Sequence, residues 1–163
     1  MLEDPKLVLV EMTKKLKETL EKKGDDPILE GDIGEGYIKL RLNEIKKKLS
    51  ELLGIPENEL AINGPYKRGP DYRVYRGEEL IAIIEVKTTR IAKIYQEGEC
   101  LDKAKEDLKG YLDSNYRNAR LGIPIAIYLE DLDKAIETDL KDGIKCTLED
   151  IIKNIVWNPN YEP

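Results

Sequence analysis

The stretch that decides the fold is GPYKRGPDYRVYRGEELIAIIEVKTTR, Gly64–Arg90. Gly64-Pro65 and Gly69-Pro70 punctuate a loop, and Asp71–Arg76 then alternates as a strand. Arg76-Gly77-Glu78-Glu79 supplies a hairpin turn. Leu80–Lys87 is the returning strand, apolar on both faces until Glu85, which predicts a central place in a sheet. Alternation sends Glu85 and Lys87 to one face together with Ile81 and Ile83, and Val86 to the other. Charge at the end of an apolar strand has a desolvation cost unless it is paired or bound to metal. An antiparallel hairpin returns the start of its first strand to the end of its second, so Asp71 is expected beside Glu85. Two carboxylates that close repel each other and favour a divalent cation between them.

Helical patterns flank this hairpin. The first helix is expected over 5–23, capped by Asp4 with Pro5 at its first position and stopped by Gly24. Its apolar stripe is Leu7, Val10, Leu16 and Leu20. A second helix is expected from about Ile33 to Leu53, with Asp32 as cap and Gly54 as stop. There Ile38, Leu42, Ile45, Leu49 and Leu52 repeat at spacings of three and four. Glu35 shares that buried face, while Lys46–Lys48 turn toward solvent. Leu60–Asn63 reads as an edge strand. A helix follows over Glu99–Asp113, carrying Leu101, Ala104, Leu108, Tyr111 and Leu112 on one side. Pro124–Leu129 reads as a buried strand, with short helices near 132–141 and 148–156. This order predicts an α/β protein with a mixed central sheet flanked by helices. One domain is expected over 1–163, with a core at about 33–129 and the first helix and an acidic helical tail, 130–163, as additions.

Composition narrows the chemistry. Among 163 residues there is no histidine, which excludes Ser-His-Asp and Cys-His catalysis and zinc sites with His ligands. Two cysteines, Cys100 and Cys146, can make neither a four-thiolate zinc site nor a disulfide framework. A catalytic site must use carboxylates, Lys, Arg, Tyr, Ser or Thr. The net charge is −6, and residues 130–163 carry most of it, with nine acidic residues against four Lys. The remainder is near neutral and holds basic clusters at Lys39–Lys48, Lys67-Arg68 and Arg117–Arg120, compatible with a local basic groove. Abundant Lys, Glu and Ile without Phe or His fits a thermophile's composition. No apolar run is long enough to span a bilayer, so no membrane partner is expected. The start Met-Leu-Glu-Asp lacks the features of a secretory signal, and the expected location is the cytoplasm.

Pro70-Asp71 followed by Glu85-Val86-Lys87 resembles the motif of the PD-(D/E)xK nuclease superfamily, whose fold is restriction-endonuclease-like. Gly69–Lys87 is also similar to the N-terminal nuclease domain of type I restriction subunits. The resemblance covers roughly Ile33–Leu129. It implies a Mg²⁺-dependent deoxyribonuclease, with Mn²⁺ as a substitute, acting in repair, recombination or restriction. Asp71, Glu85 and the Val86 carbonyl would be the metal ligands, and Lys87 would orient or activate the attacking water. Many members add an acid from the preceding helix, where this chain has Glu35. Some RecB-like members carry a Gln and, four residues on, a Tyr on the following helix; this chain has Asp107 and Tyr111 there. The expected DNA contacts are Lys67, Arg68, Thr88, Thr89 and Tyr111. A homodimer is expected for double-strand cutting. The alternative is a non-catalytic DNA- or protein-binding subunit of a DNA-processing complex, which would dock its partner through the first helix and the acidic tail.

Overall fold

The computed structural model describes residues 4–90 and 98–163. It is a mixed α/β structure with a six-stranded mixed sheet flanked by helices. Three helices come first: α1 (Pro5–Lys22), α2 (Pro27–Lys39) and α3 (Leu42–Leu53). Strands β1 (Leu60–Asn63), β2 (Tyr72–Arg76) and β3 (Glu79–Arg90) form an antiparallel meander. Helix α4 (Glu99–Leu112) precedes β4 (Leu121–Leu129), which pairs parallel to β3. Helix α5 (Leu132–Glu137), β5 (Ile144–Cys146), a 3₁₀ segment (Thr147–Asn154) and β6 (Val156–Trp157) complete the chain. The sheet order is β1-β2-β3-β4-β5, with β6 also on β4. No helix among the described residues is long and apolar enough to cross a membrane.

The expected helix over 33–53 is two helices. Asp26 caps α2 by accepting from the Leu29 amide at 3.1 Å, and Pro27 occupies its first turn. Asp32 therefore lies inside a helix rather than at its start. The break falls at Leu40-Arg41, where Arg41 leaves helical geometry and its guanidinium bonds Glu44 and Tyr37. The three-and-four spacing of apolar residues runs through the break, so periodicity alone does not show it.

The chain expected as an acidic helical tail supplies two strands to the sheet and Leu148 and Ile151 to the main core. Strand β4 begins at Leu121, before Pro124, and every one of its residues is buried. Pro124 is tolerated because β5 and β6 pair only with the two ends of β4. The Ala126 amide, two residues on, reaches the Thr147 hydroxyl at 2.9 Å. Pro124 thus turns its missing N–H into the gap between those strands.

The two faces of β3 meet different layers. A register shift between Val74 and Tyr75 leaves Ile81 without a partner on β2. Ile81 therefore packs with Ala82, Ile84 and Val86 in the main core, while Leu80 and Ile83 pack with Leu108 and Leu112 of α4. The expected grouping of Ile81 with Ile83 fails for this reason: a bulge inverts the alternation N-terminal to it. Alternation from Ile83 onward is intact, which sends Glu85 and Lys87 to the α4 side. Helix α2 lies against the opposite face so closely that a Cβ on Gly34 would fall 1.7 Å from Thr88 Oγ1.

Candidate active site at the end of β2

Strand β2 starts at Tyr72, opposite Ile84, whereas β3 runs on to Arg90. The missing continuation of β2 leaves a notch in the sheet beside Glu85–Lys87. Asp71 fills part of it. Its Oδ2 accepts from the Val86 amide at 2.7 Å, replacing the strand partner that β2 no longer provides. The Asp71 amide in turn donates to Glu85 Oε1 at 3.3 Å. Asp71 and Glu85 are thus side by side, as the hairpin geometry requires.

Side chains reach the notch from both layers. From the α2 layer, the fully buried Tyr72 donates its hydroxyl to the Glu35 carbonyl at 2.9 Å and holds that turn of helix over Asp71. From the α4 layer, Asp107 Oδ2 lies 2.7 Å from Lys87 Nζ. Glu85 Oε2 is 3.5 Å from the same ammonium. Glu85 itself is only 5% exposed.

The electrostatics follow from this crowding. Burial, and then the charge of Asp71, push Glu85 up to about 8, against the smaller pull of Lys87. Burial, then the charge and hydrogen bond of Asp71, with a contribution from Asp32, raise Glu35 to about 7. Burial acts to lower Lys87, but the hydrogen bond to Asp107 and the charges of Glu85 and Asp107 outweigh it and hold the ammonium above its ordinary value. Tyr111, one turn after Asp107 on α4, is raised by burial and by the charges of Glu85, Asp107 and Asp71. The site holds more acids than cations, so near neutral pH Glu85 and part of Glu35 keep their protons.

The structure therefore brings Glu35, Asp71, Glu85 and Lys87 together, with Tyr111 on α4 one turn beyond Asp107. Lys67 and Arg68 are exposed in the loop leading to Asp71. Thr88 packs beneath Gly34 on the other face, and Thr89 is 4% exposed with its hydroxyl directed to the Arg90 carbonyl, so the two threonines are not grouped with those cations. Two residues that sequence reasoning assigned no role also belong here. Asp107 is the partner of Lys87, and its spacing four before Tyr111 was the available signal. Arg73 lies on Asp71's face of β2 by simple alternation.

Among the described residues, no group of three or more His, Cys, Asp or Glu side chains is gathered so as to hold a metal ion. Mg²⁺ does not demand such a cage, since it is commonly held by one or two carboxylates with waters and substrate phosphate. Scans of protein-family models, curated proteins and solved structures each return no match.

Proposed function

We propose that the protein is a Mg²⁺-dependent endonuclease hydrolysing DNA phosphodiester bonds, with a PD-(D/E)xK site on a restriction-endonuclease-like fold. The observation that carries this reading is the meeting of Asp71 and Glu85 at the sheet notch, with Lys87 on the same face. The donor set fits a hard divalent cation. Asp71 and Glu85 offer carboxylate oxygens whose mutual repulsion a cation relieves. The N–H and C=O of one strand residue point the same way, so the Val86 carbonyl also faces Asp71. Bound Mg²⁺ would supply a Lewis acid for the scissile phosphate and lower the pKa of a water.

The chain's own groups supply the rest. Lys87 is held protonated by Asp107 and Glu85, so it donates hydrogen bonds and stabilises developing negative charge rather than removing a proton. Asp107 positions that ammonium. Glu35, raised to about 7, can hold or release a proton near neutral pH beside Asp71.

Purified protein is expected to cut DNA with Mg²⁺ or Mn²⁺ and to be silent with EDTA. A second reading, the non-catalytic binding subunit, draws on the exposed Leu7 and Val8 of α1, which offer a docking face. Failure to cut duplex, branched or single-stranded DNA with any divalent metal would decide for that second reading. Phosphate recognition rests on few cations in a near-neutral body, and each contact contributes about 0.9 to the slope of log affinity against log salt. A slope of about −2 to −5 is expected from salt titration of DNA binding. A flat dependence removes phosphate contacts from the reading.

A further inference from the structure

Beside the carboxylates lies a group of rings and cations that the hydrolytic chemistry does not use. Arg73 pairs across the sheet with Ile83, one row from Asp71 and Glu85, a distance of about 7 Å along the strand. Its guanidinium carbon sits 4.1 Å from the centre of the Tyr66 ring and 5.2 Å from that of Tyr116. Tyr116 meets Tyr111 edge-on, with ring centres 5.6 Å apart. The rings therefore run from Tyr66 through Arg73 and Tyr116 to Tyr111, which sits one helical turn after Asp107 on α4.

The platform is held in place. The Tyr66 amide donates to the Asp71 carbonyl at 2.8 Å, and Arg73 donates to the Arg68 carbonyl at 3.0 Å. Gly69 has φ +76°, and a Cβ there would fall 2.4 Å from the Tyr116 hydroxyl. The loop can pass over Tyr116 only because that residue is glycine. Arg73 forms no salt bridge among the described residues, and its Nε is buried without a hydrogen-bond partner there. Among the described residues its charge faces aromatic rings rather than a carboxylate. Tyr66 is half-buried, with Arg73 against one face, and the exposed Lys67 and Arg68 follow it.

A flat ring fixed next to a phosphate-cutting site and followed by exposed cations is what an unstacked base recognises. Bases inside a duplex stack on one another and have no free face to offer. We propose that the site takes an unpaired DNA strand, with one base stacked on Tyr66 and its neighbouring phosphates on Lys67 and Arg68. The proposal rests on the nuclease reading for its position and names the substrate class. One strand needs one site, so cleavage of such a substrate requires no second copy of the chain.

The test is fluorescence anisotropy in EDTA, comparing a labelled single strand with a blunt duplex of the same sequence. The single strand is expected to bind more tightly. Tyr66→Ala should weaken it about 5- to 150-fold, leaving duplex affinity within about twofold, while Tyr66→Phe binds as wild type. Because Tyr66→Ala also removes a packing partner of Arg73, a second variant reads stacking directly. Tyr66→Trp in a Trp157→Phe background should lose emission when the single strand binds. Duplex binding as tight as single-strand binding, an unaffected Tyr66→Ala, or an unquenched Trp would each overturn the proposal. Metal-dependent cleavage is scored separately. Duplex cutting without single-strand preference would overturn the substrate class and leave the nuclease standing. Tyr66-dependent single-strand binding without cleavage by any metal would do the reverse.

Discussion

Lys87→Ala is expected to reduce turnover by about 10²–10³-fold or more while leaving Mn²⁺ affinity nearly unchanged. The ammonium sits 2.7 Å from Asp107 and 3.5 Å from Glu85, so it is a fixed hydrogen-bond donor on the same face as the acids and not a metal ligand. Removing it deletes charge stabilisation in the transition state and leaves the cation's oxygen donors in place. Asp107→Asn should cost less, since Asn still accepts a hydrogen bond from Lys87 but no longer neutralises it. Steady-state cleavage and calorimetric Mn²⁺ titration of both variants measure these outcomes. Loss of metal binding in a folded Lys87→Ala protein would contradict the assigned role.

Asp71→Asn is expected to leave the metal-free protein as stable as wild type or more stable by about 0.5–2 kcal/mol at neutral pH. Asn keeps an acceptor for the Val86 amide and removes a charge that repels Glu35 and Glu85. If the acids instead served only to satisfy Lys87, removing one would destabilise by roughly 3–5 kcal/mol. The two accounts differ in sign. A pH series sharpens the distinction. Glu35 and Glu85 are held at about 7 and about 8, above the ordinary 4.5. Between about pH 4.5 and 8 the native state therefore binds more protons than the unfolded chain, so stability falls as pH rises through that window. Above it the loss is constant. Each group contributes at most about 1.4 kcal/mol per pH unit, an upper bound of about 8 kcal/mol for the two together; solvent at the half-buried Glu35 and the pull of Lys87 on Glu85 reduce this, and a total fall on the order of 2–4 kcal/mol is expected without metal. Asp71→Asn should flatten this fall. Mg²⁺ should offset it in wild type by mass action, and much less in the variant. Urea unfolding with EDTA and with Mg²⁺ reads all three quantities. A rising apo profile, or a wild type indifferent to metal, would remove the metal-site reading.

The hairpin and its acids were legible in sequence because their determinants are local. Turn residues at Gly77-Glu78, period-two alternation and the Gly-Pro punctuation set the first strand to within one residue and the second to within three, since β3 continues past Lys87 to Arg90, and antiparallel return then brings Asp71 to Glu85 by geometry alone. The edge strand Leu60–Asn63 and the cap at Asp4 were local in the same way. Elsewhere the signals misled or were silent. Leu7 belongs to the apolar stripe of the first helix by spacing, yet it is 58% exposed, because α1 buries Leu9, Val10, Thr13 and Leu16 instead. Nothing in the spacing shows the break between α2 and α3, since two intervening residues preserve the apolar repeat.

The central hairpin, the pairing of Asp71 with Glu85 and the absence of imidazole and thiolate-cage chemistry depend on residue identity and on neighbours along the chain, and could be read without a structure. The reach of Glu35 to Asp71, the hold of Asp107 on Lys87 and the stacking of Tyr66, Arg73 and Tyr116 arise from packing between elements. Those contacts join residues from separate elements, and their distances are set by how α2 and α4 pack on opposite faces of the sheet. The bulge at Ile81 shows the physical reason in one place. Alternation predicts faces only while the register holds, and the register of β2 against β3 is a property of the paired strands, not of either strand alone.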